Sequence, residues 1–285
     1  QDSTYSPKDL SNLAWASAML GADNPTLSSA LAEQAVVQIH KFKPVELLQL
    51  AWGTAASMSD GELSHAIQAQ LGSLLKNFNV RRYSEEACRM LAKVALGVVW
   101  AYNLAGLLSG DLLFVARLAL LQMGLTLDIG HERRRLLGVL MARAKVPSEG
   151  SEASAAALSS PRQPYVVLEL SDRWVIAKPS GWEVLDNTDQ YTEHQILSFL
   201  RAMSGRHWSI LDDVERDYGF LHRLDVPSSG LILAAKTYEA YYDLRLQLST
   251  GELVRDYIVL CHGWVPPDLR EITAHVYWRA GDELP

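Results

Sequence analysis

The residues of this chain best suited to chemistry stand close together: His222, Arg223 and Asp225, followed by Pro227, Ser228, Ser229 and Gly230. A carboxylate can serve as a base or as a nucleophile toward an electrophilic carbon, and a guanidinium beside it favours the ionised form. Pro227 and Gly230 interrupt regular structure. Gly230 to Ala235 is then a short apolar run ending at Lys236, the pattern of a buried strand. The polar residues are thus expected on a loop feeding a core strand, where a scaffold commonly presents functional groups. On their own, a turn-capping aspartate and a surface arginine would suit the same spacing.

Other chemistries fit less well. Ser228 or Ser229 with His222 and Asp225 lacks the Gly-x-Ser-x-Gly elbow, and residues three apart on one loop rarely form a triad. The two cysteines, Cys88 and Cys261, are far apart, and the 8 histidines are scattered. No zinc-type spacing results, no metal site is expected, and a disulfide scaffold is excluded.

The elements that must hold the 222–236 loop follow from pattern. Tyr165–Leu170 and Trp174–Lys178 read as two strands joined at Ser171-Asp172-Arg173, with Pro179-Ser180-Gly181 ending the second. Thr192–Met203 reads as a helix with Ile196, Phe199, Leu200 and Met203 on one face, and Ser209–Tyr218 as an acidic loop. Tyr238–Leu248 reads as a helix with Ala240, Tyr241, Leu244 and Leu248 inward, and Leu253–Cys261 as a strand after a turn at Gly251.

Residues 1–143 carry long amphipathic segments and read as helical throughout. Tyr5-Ser6-Pro7-Lys8-Asp9-Leu10-Ser11-Asn12-Leu13-Ala14-Trp15-Ala16 aligns with Phe42-Lys43-Pro44-Val45-Glu46-Leu47-Leu48-Gln49-Leu50-Ala51-Trp52-Gly53, a repeat that places proline in the first turn of each helix. A degenerate third copy begins near Tyr83-Ser84 and includes Trp100. Such units bury their faces by stacking on neighbours, and Trp15 and Trp52 are expected in the core, as continuations of the apolar stripe. His131-Glu132-Arg133-Arg134-Arg135 is the most basic cluster and suits either phosphate or a solvated helix end. Residues 144–164, rich in Pro, Ser, Ala and Glu, read as a flexible tether, with relative motion of the two sides as the default. The expected division is 1–143, 144–164 and 165–285.

At 285 residues and net charge −7 the chain is foldable, globular material. The acidity is uneven: 13 basic and 12 acidic residues in 1–143, against 11 and 19 in 165–285. The second part alone should bind nucleic acid weakly at physiological salt. No apolar run reaches the ~18 residues of a membrane span, so no membrane association is expected. The absence of an initiator Met, with Gln1 opening in mid-pattern, is expected of an internal piece of a longer protein.

The 222–236 stretch, read as His222-Arg223-Leu224-Asp225, two spacers, Ser228-Ser229-Gly230 and an apolar strand, resembles the catalytic motif of the RluA family of RNA pseudouridine synthases. Val166–Gly181, ending in Lys178-Pro179-Ser180-Gly181, resembles that family's opening strand pair and Lys-Pro-x-Gly turn. Arg255-Asp256-Tyr257-Ile258-Val259-Leu260 resembles its Lys-x-Tyr strand, with Arg in place of Lys. The resemblance implies an all-α helical-repeat array followed by an α+β pseudouridine synthase-type domain with a mixed, mainly antiparallel sheet. It implies that Asp225 is the catalytic carboxylate and Tyr257 the ring that stacks on uracil. Arg255 would line the same strand, and Arg223, beside His222, would fill the space left by a flipped base or hold a phosphate. No cofactor is required by that reaction, and the partner is RNA (rRNA, tRNA or an organellar transcript). The repeats resemble octotricopeptide-type RNA-binding arrays, which implies an intracellular site, mitochondrion or plastid. The family's Gly-Arg-x-His-Gln segment, whose Arg pairs with the aspartate, comes after the regions matched here. A non-catalytic RNA-binding protein carrying a degenerate synthase fold is the alternative.

Overall fold

The computed structural model describes residues 5–21, 24–57, 61–79, 83–142, 163–185, 194–204 and 208–272. Six helices come first: α1 (Pro7–Met19), α2 (Pro25–Val37), α3 (Pro44–Ser57), α4 (Gly61–Lys76), α5 (Glu85–Leu104) and α6 (Gly110–Ala142). Their starts are written in the sequence. Ser6 accepts from the Asp9 N–H while Asp9 accepts from the Ser6 N–H, a reciprocal capping box, and Asn24 and Ser84 cap α2 and α5.

The helices pack as two layers, α1, α3 and α5 in one and α2, α4 and α6 in the other. Leu10 and Ala14 of α1, with Leu47, Leu50 and Ala51 of α3, form the seam between neighbours. At Gly53 the helices nearly touch: a Cβ there would lie 2.7 Å from the Ala14 Cβ. The tryptophans depart from expectation. Trp15 and Trp52 are 44 % and 40 % exposed, not core. Each follows the buried Ala14 or Ala51 by one residue, a rotation of about 100° that carries the ring off the seam. Trp52 instead rests against Trp100 of α5, ring centroids 5.0 Å apart.

The remaining elements are β1 (Tyr165–Glu169), β2 (Arg173–Lys178), α7 (Ile196–Met203), β3 (Gly230–Ala235) and α8 (Tyr238–Thr250), with short 3₁₀ segments at Ile39–Lys41, Ser209–Asp212 and Val214–Gly219. The sheet is antiparallel with order β1-β2-β3. Among the described residues the expected mixed character survives only as an isolated parallel bridge between Glu183 and Gln195. Trp174, Ile176, Ile232 and Ala234 alternate onto one face and pack with Ile196, Leu197 and Leu200 of α7. Helix α7 begins later than expected; Thr192 and Glu193 lie outside the described residues, as does most of the 144–164 stretch.

Helix α8 joins the two parts. It packs on α5 and α6, where a further helix of the first layer would lie. Two residues one turn apart on α6 receive it. A Cβ at Gly124 would stand 2.5 Å from the Glu239 Cα, so the two backbones meet there with nothing between them. Asp128 accepts from the first N–H groups of α8, Tyr238 at 2.9 Å and Glu239 at 3.0 Å, satisfying donors that a helix start leaves unpaired. Residues 1–253 accordingly form one compact unit. The segments on either side of 144–164 share a core containing Leu91, Val98, Leu120, Tyr241 and Leu244, where independent motion was the sequence-based default. One stretch of α6, Gly110–Arg135, is apolar and long enough to cross a membrane by composition alone; α4, α5 and α8 pack on one side of α6, while Phe114, Leu118, Leu125 and Ile129 are exposed.

Residues 254–285 form a second unit. Its described part, 254–272, contains no strand. The strand expected at Leu253–Cys261 is not formed, and Ile258 and Leu260 are fully exposed: an apolar alternation makes a strand only when a ladder partner accepts its N–H and C=O groups.

Candidate active site

The Asp225 loop is built from both ends. On its upstream side Phe220 bridges Ala234, and the Leu221 N–H donates to Leu233 O at 3.2 Å, so residues 220–222 lie alongside β3. The His222 ring turns back onto the same strand, its Nε2 accepting from the Leu233 N–H at 3.4 Å. Leu224 packs against the sheet core. On the downstream side Gly230 opens β3 with φ of 152°, and a Cβ there would come within 3.2 Å of Leu224. The positive φ is what favours glycine here, since the Leu224 methyl would need to give only a few tenths of an ångström. Arg223 and Asp225, between these anchors, are exposed.

What fixes the loop is a residue that motif reading placed in the Lys-Pro-x-Gly turn without giving it a role. Lys178 occupies the fifth position of the alternation begun by Trp174 and Ile176, so its side chain goes inward, and it is 1 % exposed. Its ammonium donates to Ser228 O (2.6 Å), Asp225 O (3.0 Å), Val226 O (3.3 Å) and Pro179 O (3.3 Å). Burial pushes this amine below the ordinary lysine range, while the nearby Asp225 carboxylate acts in the opposite sense. Two further bonds close the turn, Ser228 N–H to Asp225 O at 3.0 Å and Gly181 N–H to Val226 O at 2.8 Å. The carbonyls face inward and the Asp225 side chain faces solvent.

The other end of β3 is held in the same way. Lys236, 4 % exposed, pairs with Glu169 at 2.6 Å and donates to Leu170 O at 2.5 Å, with Trp174 beneath it at 4.7 Å. Hydrogen bonding to Lys236 holds the Glu169 carboxyl below the ordinary range. Both lysines that flank the motif strands therefore act on backbone, at opposite ends.

Of the residues singled out from sequence, His222, Arg223 and Asp225 share one loop of the first unit. Arg255 and Tyr257 belong to the second unit, where both are exposed, Tyr257 by 58 %. Among the described residues no group of histidine, cysteine and carboxylate side chains is arranged to hold a metal ion.

Residues 173–280, which include the Asp225 loop, match the RNA pseudouridylate synthase family. Among individual proteins, an uncharacterized protein of Caenorhabditis elegans is 33 % identical over 103 residues, covering 36 % of this chain and 22 % of the worm protein. Uncharacterized RNA pseudouridine synthases from two Helicobacter pylori strains are 34 % identical over 68 residues and 29 % over 108. These matches cover 22 % and 36 % of this chain, and 23 % and 32 % of the bacterial proteins. The chain thus spans between a fifth and a third of the relatives it matches. No solved structure matches it.

Proposed function

We propose that this protein is an RNA pseudouridine synthase of the RluA type, an isomerase that converts uridine to pseudouridine with Asp225 as its catalytic carboxylate. The observation that carries the reading is an exposed aspartate at the head of a buried strand, locked from behind through its own carbonyl, within the segment similar to that family. The reaction breaks the N1–C1′ bond and joins C5 to C1′, with no net oxidation. Asp225 either bonds to C1′ as N1 departs with the electron pair, or takes a proton from C2′ to leave a glycal. In both routes the turned base joins C1′ through C5, displacing the Asp225 oxygen in the first and with the proton returned to C2′ in the second; C5 then loses its proton and N1 gains one. The uracil must leave the RNA stack to react. On this reading Tyr257 stacks on it and receives the proton, Arg255 lines the same strand, and Arg223, with His222 behind it, occupies the vacated space or meets a phosphate. The RNA is a ribosomal, transfer or organellar transcript.

The test is nucleoside analysis of RNA incubated with the chain and with Asp225→Asn. Pseudouridine is expected from the first alone; its appearance with both removes the catalytic assignment.

A second reading, a non-catalytic RNA-binding protein with a degenerate synthase fold, draws support from the acidic excess of residues 165–285 and from the half-exposed rings of Trp15, Trp52 and Trp100. RNA binding that weakens with salt, without turnover, would favour it.

A further inference from the structure

The chain enters the Asp225 motif through a left-handed turn. At the end of the 3₁₀ segment Val214–Gly219, Asp217 (φ 50°), Tyr218 (φ 53°) and Gly219 (φ 85°) follow one another in that region. A Cβ crowds the following carbonyl there, so of these residues the glycine alone is at ease. The turn has a definite task. It brings Gly219 against β3, where a Cβ would lie 2.6 Å from the Ala235 oxygen, and sets Phe220 opposite Ala234. From there Phe220-Leu221-His222-Arg223-Leu224-Asp225 runs on without glycine or proline. No free swivel separates the turn from the carboxylate.

Backbone held in a sparsely populated region persists only where its surroundings over-determine it. The outer contacts do little: Asp217 pairs with Arg245 at 2.9 Å in an ion pair open to solvent, and Arg201 lies 5.6 Å from the Tyr218 ring. The buried contact is Arg216, which directly precedes the turn and is 2 % exposed. Its guanidinium donates to the Asp213 carboxylate and, at 3.2 Å, to the Tyr242 hydroxyl of α8. It stands 3.7 Å from Glu85 in the first turn of α5 and lies over the Tyr238 ring at 5.0 Å. Asp213 passes this on to the turn: its side chain accepts from the Glu215 N–H at 3.0 Å and its carbonyl from the Tyr218 N–H at 2.9 Å. One side chain thus ties the turn to two helices, and α5 lies outside the segment similar to the synthase family. A buried guanidinium stripped of its acceptors is strongly unfavourable, so the turn and these partners stand or fall together.

We infer that Arg216 is a positioning residue for the Asp225 loop: anchored on α5 and α8, it holds the left-handed turn at 217–219 and so sets where residues 220–225 lie along β3. The kinetic consequence rests on the reading of Asp225 as the reacting group; the structural one does not. A displacement of about 1 Å at the reacting group costs roughly 100-fold in rate. Since Arg216 is buried, its loss acts on turnover and leaves RNA affinity alone.

The experiment uses the full chain with Arg216→Lys, which keeps a charge but loses the fork of donors, with Arg216→Lys combined with Asp217→Gly, and with Glu85→Gln, an exposed change on α5. Amide hydrogen exchange and steady-state kinetics on uridine-containing RNA are compared with wild type. In Arg216→Lys the Phe220 and Leu221 amides, which donate to Asp217 O and Leu233 O, should exchange about tenfold faster while those of α1–α4 are unchanged. Its kcat should fall about 100-fold with KM within about twofold of wild type. Adding Asp217→Gly should restore part of both, because glycine takes the left-handed conformation unaided; a role in packing alone predicts no rescue at the turn. Glu85→Gln should move exchange and kcat in the same direction by about threefold, as loss of a half-exposed partner does. Wild-type kcat in folded Arg216→Lys overturns the inference, as does faster exchange spread evenly over the chain or the absence of rescue. If Arg216→Lys does not fold, Glu85→Gln decides, and wild-type exchange of Phe220 and Leu221 in that variant overturns the inference. If wild type itself makes no pseudouridine, the proposed function fails, and the exchange measurements alone decide the positioning role.

Discussion

Asp225 and Lys178 divide the work of one short loop, one facing solvent and the other facing the core. Because Asp225 is exposed, Asp225→Asn is expected to leave the unfolding free energy within about 0.5 kcal/mol of wild type while removing turnover; thermal denaturation checks the first half. His131 supplies a prediction of a different kind. Its ring stacks on Tyr238 with centroids 4.9 Å apart, and its Nε2 has no hydrogen-bond partner among the described residues. Burial, and then Arg134, hold its pKa below the ordinary 6.5; Glu85 and Asp213 oppose this, and Arg216 adds to it. The folded chain therefore binds this proton less readily than the unfolded chain. The stability it contributes is fully present above about pH 6.5 and is lost as pH falls from there toward the depressed folded value. Denaturant melts at pH 7.5 and 5.5 should show wild type losing more stability than His131→Gln. The Asp225 loop was legible as residues because its chemistry and its turn formers are contiguous. Lys178 was legible as a motif letter only, since its partners stand almost fifty residues downstream.

Among the elements, helix α8 carries the most weight. Its face toward α5 and α6 holds Tyr238, Tyr241, Tyr242 and Leu244, all buried, and its start is closed by Asp128. Asp128→Ala should cost about 1–2 kcal/mol, as loss of a helix cap does. Gly124→Ala should cost about 1–3 kcal/mol, because a methyl group must enter a backbone contact that cannot retreat. Urea unfolding measures both, and a neutral Gly124→Ala would mean that α6 and α8 do not meet as described. The helix itself was readable from its apolar spacing. Its seat was not: Gly124 looks like an interruption in an apolar helix and Asp128 like an isolated charge until α8, more than a hundred residues on, is laid across them. The strand expected at Leu253–Cys261 shows the converse limit. Alternation states what a segment would bury, and only a partner decides whether it does.

At the scale of the molecule, composition marks a break near residues 144–164 that packing crosses. The apolar face of α8 is covered by helices from the first half, so the synthase-like segment is expected not to fold as residues 165–285 alone. Near-ultraviolet circular dichroism of that fragment should lack the tertiary signal of the full chain; a cooperative, native-like fragment would contradict the shared core. The helices then form part of the structure that holds β3, whatever else they bind. On the proposed reading the function turns on one carboxylate, and release of tritium from RNA labelled at uridine C5 tests it directly, since in that reaction C5 loses its hydrogen only after it bonds to C1′. Wild type should release tritium with time and Asp225→Asn should release none. Equal release from both, or none from wild type on any RNA offered, would contradict the assignment of Asp225 as the reacting group of an RNA pseudouridine synthase.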